Sequence, residues 1–448
     1  MSAVEVICRR RVLMVLWDGG GNVPPQLVIA RRLVARGHDV GILAPRVIEA
    51  RIIATGARFV PYRQAPEHDS TSPEHDLIQD WSARLPLVGM ARARDRTMVD
   101  PALPIARDLL STLEEEPADV IAADFMLWGA YLGAEKAKLP LAALYQSIWA
   151  LPTPGLPPFG TGFSRARGPL GHLRDELFRR MAVRFYGAGL PRLNAARAAL
   201  DLAPLDSAFD LFAQADRALV LTSRAFDFPA TNLPDSVHYV GPPFDRPSAE
   251  TRGIGQWAPD DRRPLVVVSL STTFQQQADT VQRIVDALGT LPVRALVTAG
   301  LALNPATFRV PANTVIESYI PHQQVFPQTD LVITHGGHGT VITALAHGIP
   351  VICLSMRRDQ GDIAARVVWH GAGLCLTSRT RPGTLRRAVQ RVLTEPHFRD
   401  AARRLANDLR HEDGGATVVA ELEELLCAAK ANIPVGLPAA ALPQVPSV

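Results

Sequence analysis

Apolar residues in this chain gather in short unbroken runs, and between the runs they recur every three or four positions. Arg11–Trp17 carries the first run, Leu27, Ile29, Ala30, Leu33 and Val34 then fall at helical spacing, and Gly37 closes that stretch. Asp39–Ala44 and Arg58–Tyr62 are further runs of strand length. Strand, helix and strand at this spacing predict a βαβ unit with a parallel sheet, because strands buried on both faces read as continuous hydrophobic runs. The pattern continues with a strand at Ala118–Ala123, a helix at Leu127–Ala137 and a strand at Leu141–Tyr145. Ala218–Thr222 and Val237–Val240 supply two more strands.

Two insertions break this rhythm. Gln64–Asp80 is polar and bears histidines, and it reads as a mobile surface loop. Leu151–Pro169 is rich in Pro and Gly, and Gly171–Leu202 reads as helical. Gly241–Pro264 is dense in Pro, Gly and charge, as an interdomain linker would be. A second α/β series follows, with strands expected at Leu265–Leu270, Arg294–Thr298, Thr314–Glu317, Leu331–Thr334 and Val351–Leu354. A last helix is expected over Ala416–Ala429, before a Pro- and Ala-rich tail read as disordered. The organisation predicted is an α/β chain of two Rossmann-like domains facing each other across a cleft. Residues 1–235 form the first domain, 236–264 the linker, 265–430 the second domain and 431–448 the tail.

Composition narrows the function classes. At 448 residues the chain exceeds one ordinary core, and two domains are the default. A net charge of +3, with 47 basic and 44 acidic residues interspersed, gives no argument for nucleic acid. No apolar stretch reaches membrane-spanning length, and the short run Val12–Trp17 ends in Asp-Gly-Gly-Gly, unlike a signal peptide. Four scattered cysteines lack metal spacing, Cys353 and Cys375 read as small core residues, and a reducing cytoplasm suits them.

The densest chemistry lies at Leu331–Asp362. A buried strand runs into His335-Gly336-Gly337-His338-Gly339-Thr340 and then into a helix. Glycines there let backbone N–H groups approach an anion, and the helix amino terminus adds favourable partial charge. A merely structural tight turn is the plainer alternative. Tyr319-Ile-Pro-His322, Asp330 through Thr340, Gly348-Ile-Pro350 and Asp359-Gln360 together resemble the donor signature of the family 1 glycosyltransferases. These are the inverting, two-Rossmann (GT-B) enzymes, bacterial macrolide-type and plant members among them, that glycosylate small lipophilic natural products. Val240-Gly-Pro-Pro, Trp257 and Pro264 through Thr272 resemble their linker and first donor-domain strand.

The resemblance implies a set of roles. His335 would hydrogen-bond the diphosphate, with Gly337, Gly339 and Thr340 as further donors and Ser271 and Thr272 completing the cradle. Tyr319 would stack on the nucleotide base, and Asp359 and Gln360 would hold the sugar hydroxyls. His338 is divided between a donor contact and simple packing, Tyr319 has a core aromatic as its alternative, and Asp359 could cap the following helix. No Asp-x-Asp occurs, so neither a bridging metal nor any cofactor is expected; the nucleotide-sugar is a co-substrate. Thr343 replaces the family's ribose-binding Glu, which is compatible with a dTDP-sugar, while Asp359-Gln360 is more typical of glucose-like UDP donors. The nucleotide stays open between the two.

The acceptor side departs further. Gly21-Asn22-Val-Pro24-Pro25 matches the segment in which the family carries its catalytic His, and Asn cannot act as a base near neutral pH. Asp124 stands where the family has the aspartate that orients that His, so Asp124 becomes the candidate base, with Asn22 positioning the acceptor and Asp18 as second candidate. Capping of the helix after Asp124 is the structural alternative. His68, His75 and His172 are read as solvated loop residues. The function implied is transfer of a sugar from a nucleotide donor to a small acceptor such as a polyketide or aromatic compound. The alternative is a catalytically impaired nucleotide-sugar-binding auxiliary protein of the same fold. A dinucleotide oxidoreductase is disfavoured because Gly19-Gly20-Gly21-Asn22-Val23-Pro24 lacks Gly-x-Gly-x-x-Gly spacing. Acceptor, sugar, bond type and oligomeric state are not legible.

Overall fold

The computed structural model describes residues 9–244, 257, 260–300 and 303–431. Seven parallel strands form the first sheet: β1 (Arg11–Val15), β2 (Asp39–Ala44), β3 (Arg58–Pro61), β4 (Val120–Asp124), β5 (Leu141–Tyr145), β6 (Arg217–Val220) and β7 (Val237–Tyr239). Their spatial order is 3-2-1-4-5-6-7. Six more form the second sheet: β8 (Leu265–Ser269), β9 (Arg294–Thr298), β10 (Thr314–Glu317), β11 (Leu331–Thr334), β12 (Val351–Ser355) and β13 (Gly373–Thr377). Their order is 10-9-8-11-12-13. Each sheet has a hydrophobic cluster on both faces, which is why its inner strands read as unbroken apolar runs. The two Rossmann-like units expected from the pattern are therefore the fold observed.

In each sheet the strand order reverses beside the first strand, between β1 and β4 and between β8 and β11. Loops at the carboxyl ends of these strands diverge there and open a crevice, the usual ligand position of such sheets. The loops concerned are Trp17–Asn22 after β1, Ser271–Thr273 after β8 and the His335 turn after β11.

Four expectations need correcting. The first sheet runs on to Tyr239, beyond the boundary at 235, because β7 pairs with β6. The helix Gly414–Ala431 does not stay with the second domain: Val418, Val419, Leu422, Leu425 and Leu426 join a core of the first. Arg32–Asp413 at 2.8 Å, Arg36–Glu423 at 3.1 Å and Arg217–Glu421 at 3.1 Å line the same contact. Cys353 is buried as expected, but Cys375 lies exposed on β13, an edge strand in which only Gly373 is fully buried, so no apolar run marks it. Finally, Gln64–Asp80 is not a solvated loop, since His68, Ser70, Asp76 and Asp80 are all buried. The tail after 431 and most of the linker lie outside the described residues.

Polar pairs bind the two domains along the cleft. Arg366 donates to Asp227 at 2.7 Å with both side chains buried, and the Asp362 carboxylate accepts from the N–H groups of Gly160 and Gly162 at 2.6 and 2.8 Å. Burial pushes the Asp362 carboxyl up to about 6 despite those two donors.

Candidate functional site

The strand β11 ends at Thr334, and the chain turns through Gly336 at φ +95°, where a Cβ would lie 2.8 Å from the Gln360 carbonyl. Only glycine fits that turn. The helix His338–Ala346 starts at once, and its first intrahelical bond runs from Val341 N–H to the Gly337 carbonyl. The N–H groups of His338, Gly339 and Thr340 are thus left without an acceptor inside the helix, which makes its end an anion site in form. His335 is half-buried beside this end, its ring against Gly337. Burial, helped by the nearby Arg358 cation, lowers its pKa to about 4, so the free site holds a neutral imidazole.

Opposite the turn, Ser271 and Thr272 divide their work. Ser271 is buried, its hydroxyl pairing with Thr273 Oγ1 at 2.9 Å, so it shapes the loop. Thr272 is exposed. Tyr319 is 65% exposed, which rules out the core-aromatic alternative.

Asp359 precedes the helix Gln360–Trp369, but its side chain does not cap it. Its Oδ2 instead accepts from Ser147 Oγ of the first domain at 3.0 Å. Burial raises the pKa of Asp359 while that serine bond opposes the shift. Gln360 is more committed: its Oε1 accepts from Met356 and Arg357 N–H at 2.8 and 3.0 Å, and its Nε2 donates to Gln275 at 3.1 Å. His338 reaches Thr222 Oγ1 across the domain seam at 2.8 Å, and burial lowers its pKa to about 4.

On the first-domain side Asp124 is the hub. Its Oδ2 accepts from Asn22 Nδ2 at 2.8 Å, Trp17 Nε1 at 2.9 Å, Gln146 Nε2 at 3.1 Å and Gln26 Nε2 at 3.4 Å. Its Oδ1 accepts from Met126 N–H at 3.1 Å, so the helix-start role is present as well. Burial raises its pKa to about 6 against the pull of these donors, Asn22 first among them. Asn22 is likewise used up locally, since its Oδ1 accepts from Gly19 N–H at 2.9 Å and its Nδ2 also donates to the Trp17 carbonyl at 3.1 Å.

Asp18 is different. It is buried, and each oxygen takes one backbone N–H, from Gly20 at 3.2 Å and Ser70 at 2.9 Å. Gly20, at φ +77°, lies so close to the second domain that a Cβ would sit 2.3 Å from Thr273 and 3.1 Å from the Thr272 hydroxyl. Asp18 therefore stands at the seam, one turn of chain from the expected phosphate cradle.

Comparison with known proteins fits this geometry. Residues 282–425 match the erythromycin biosynthesis protein CIII-like C-terminal domain. The chain is 31% identical over 424 residues to 4'-demethylrebeccamycin synthase of Lentzea aerocolonigenes, covering 93% of this chain and 99% of that protein. The chain belongs to the GT-B glycosyltransferases. A further relative of this glycosyltransferase is demethyllactenocin mycarosyltransferase of Streptomyces fradiae, 28% identical over 94% of this chain and 88% of that one. Among solved structures, the calicheamicin glycosyltransferase CalG4 superposes with a TM-score of 0.72 over 94% of this chain and 98% of its own, at 21% identity.

Sequence reasoning missed several participants in this glycosyltransferase. Trp17, Gln26, Gln146 and Ser147 sit just past strand ends or on the first helix, where position in the fold alone marks them. His68 was set aside as solvated and is 5% exposed. Among the described residues no group of metal-ligating side chains could hold an ion, and no helix is long and apolar enough to cross a membrane.

Proposed function

We propose that the enzyme moves a sugar, with inversion, from a deoxythymidine diphosphate donor to a small aromatic or polyketide-like acceptor bound against the first domain. The observation that carries this reading is the open helix end at His338–Thr340, with exposed Thr272 and Tyr319 around it and the Asp18 carboxylate across the seam. The diphosphate would sit on the free N–H groups of the turn, with His335, Thr340 and Thr272 donating to its oxygens and Tyr319 under the base. Gly337 and Gly339 leave room for that approach. Asp359 would exchange its Ser147 contact for a sugar hydroxyl, while Gln360 holds the loop that carries it.

Asp18, the second candidate in the sequence, is the better-placed base. Asp124 collects up to four N–H donors on Oδ2 and a fifth on Oδ1, whereas Asp18 takes only one backbone N–H on each oxygen. The acceptor's X–H proton passes to Asp18 as X bonds to the anomeric carbon, and the anomeric C–O electron pair leaves with the diphosphate. Charge gathers on that diphosphate in the transition state, so donors already aimed there lower the barrier. Asp124 and Asn22 keep the Trp17–Asn22 loop in place.

The deoxy nucleotide is favoured because Thr343 offers no carboxylate to a ribose diol and spends its hydroxyl on the Gly339 carbonyl at 2.7 Å. Two structural neighbours, VinC and SsfS6, were solved with thymidine diphosphate bound. The test is incubation of the purified enzyme with α-configured dTDP- and UDP-glucose and a panel of phenolic and polyketide acceptors. β-Linked product from the dTDP donor is expected, and an α-linked product would overturn inversion. Donor binding without any product across the panel would favour the auxiliary-protein alternative.

A further inference from the structure

One buried donor next to the proposed base has no place in the mechanism so far. His68 belongs to the Gln64–Asp80 segment, is 5% exposed and lies flat on Trp17, with ring centroids 5.8 Å apart and planes 21° apart. Its Nδ1 accepts from Leu77 N–H at 2.9 Å. A neutral ring that accepts at Nδ1 carries its proton on Nε2. Burial lowers its pKa, against the pull of the Asp18 and Asp76 carboxylates, so the ring stays neutral near pH 7. Nε2 has no hydrogen-bond partner, and neither has the buried Ser70 hydroxyl two residues on. Ser70 is the residue whose N–H holds Asp18, and its carbonyl accepts from Phe274 N–H of the second domain at 2.9 Å.

A buried N–H left unpaired costs about 1–3 kcal/mol, so one beside a proposed catalytic carboxylate calls for a ligand. A largely apolar cavity of about 30 Å³ has the His68 ring in its wall, with Trp17, Tyr62, Leu77 and Leu127, and room for one small group. From these positions we infer that the His68 Nε2–H is a specificity determinant, donating to a carbonyl oxygen of a flat aromatic acceptor whose ring system lies alongside Trp17. The oxygen belongs near the atom that is glycosylated, because Ser70, two residues after His68, holds Asp18 through its N–H. His68 is not the base in this arrangement, since its only free nitrogen is protonated. The inference rests on the reading that the cleft takes an aromatic acceptor, but it does not need Asp18 to be the base.

Two amide replacements separate ligand binding from a structural role. Gln at 68 places an N–H near the Nε2 position, and Asn places an oxygen near Nδ1, able to accept from Leu77. Equilibrium binding of 1-hydroxyanthraquinone and of 1-hydroxyanthracene, which lacks the carbonyls, is measured with dTDP present. The wild type is expected to prefer the quinone by about tenfold, roughly one hydrogen bond's worth. H68Q should keep most of that preference and H68N should lose it, with dTDP affinity unchanged in both. A wild type without preference overturns the inference. So does the reverse pattern, in which H68N keeps the preference and H68Q loses it, because that is what a ring serving only Leu77 would give. A parallel loss of dTDP affinity in H68N would also overturn it, by moving His68 to the donor. Product formation by D18N is scored separately, so failure of the base assignment leaves a different signature from failure of this one.

Discussion

The two sides of the cleft solve the same problem with opposite means. On the second-domain side the groups proposed to bind ligand are mostly backbone, presented by a helix end and glycines, with Tyr319 and Thr272 standing exposed. On the first-domain side they are side chains locked to one another, with Asp124 collecting five N–H groups and Asn22 spending both ends of its amide. A backbone site tolerates side-chain change around it and is recognisable by its glycines. A side-chain network carries no such local signal, and here it engages both ends of the amide of Asn22, the residue at which the resemblance implies a histidine.

The sharpest way to break that contrast is to remove the two carboxylates one at a time. D18N is expected to lower kcat by about 10³-fold, within the usual range for a general base, with a smaller loss of stability than D124N, because its amide faces one of two backbone N–H groups rather than the cluster of donors around Asp124. D124N should instead put an amide N–H among N–H donors and reduce stability and activity together. Steady-state kinetics beside thermal melts read both. Full kcat in D18N, or selective loss of kcat in a fully stable D124N, would return the base to Asp124.

The same carboxylate gives a pH test of the network. A folded-state pKa of about 6 for Asp124, raised by burial from the ordinary carboxylate value, means the folded protein binds more protons than the unfolded chain between about pH 4 and 6. Its contribution to stability is therefore full below the unfolded pKa and lost as pH rises through the folded one, by roughly 3 kcal/mol. Asp362, also at about 6, adds a term of the same sign. Denaturant midpoints from pH 4 to 7 should fall less steeply in D362N than in the wild type. Identical slopes would mean that Asp362 ionises normally at the seam.

On the donor side, H335A should reduce kcat/KM for the nucleotide-sugar by at least about tenfold, one charge-assisted hydrogen bond's worth. The neutral His335 of the free enzyme should gain proton affinity when a diphosphate lies beside it, so dTDP should bind more tightly as pH falls from 7 toward 5. Calorimetric titration of dTDP checks both, and unchanged binding in H335A at every pH would remove His335 from the cradle.

How much of this was legible follows from the same contrast. The strands β1 to β12, the two-domain plan and the His335 turn announce themselves through apolar runs and glycine placement, which are local signals. The edge strand β13 does not, because half of Gly373–Thr377 faces solvent. The return of the helix Gly414–Ala431 to the first domain was equally hidden, since its apolar face would suit either core. His68, Ser70 and Asp80 read as polar loop residues; only the fold shows that their segment is packed between the domains. Arg358, at φ +58°, illustrates this best: it clasps Asp80 at 3.0 and 3.1 Å from 278 positions away. Burial alone would raise the Asp80 carboxyl, yet the Arg358 cation holds it below its ordinary value.

The smallest expected effect tests whether the donor site is as tolerant as a backbone site should be. Thr343 is half-buried, off the buried face of the helix His338–Ala346, and its hydroxyl bonds within that helix, to the Gly339 carbonyl. T343E should therefore fold normally, because Glu suits a helix and no buried partner is lost. If the ribose lies where the resemblance implies, the new carboxylate can accept from both hydroxyls of a uridine donor but from only one of a thymidine donor. The ratio of kcat/KM for UDP-glucose over dTDP-glucose should rise by several fold, about the worth of one exposed hydrogen bond. A ratio that does not move would place the nucleoside elsewhere on the turn, and would leave the dTDP preference without its explanation at Thr343.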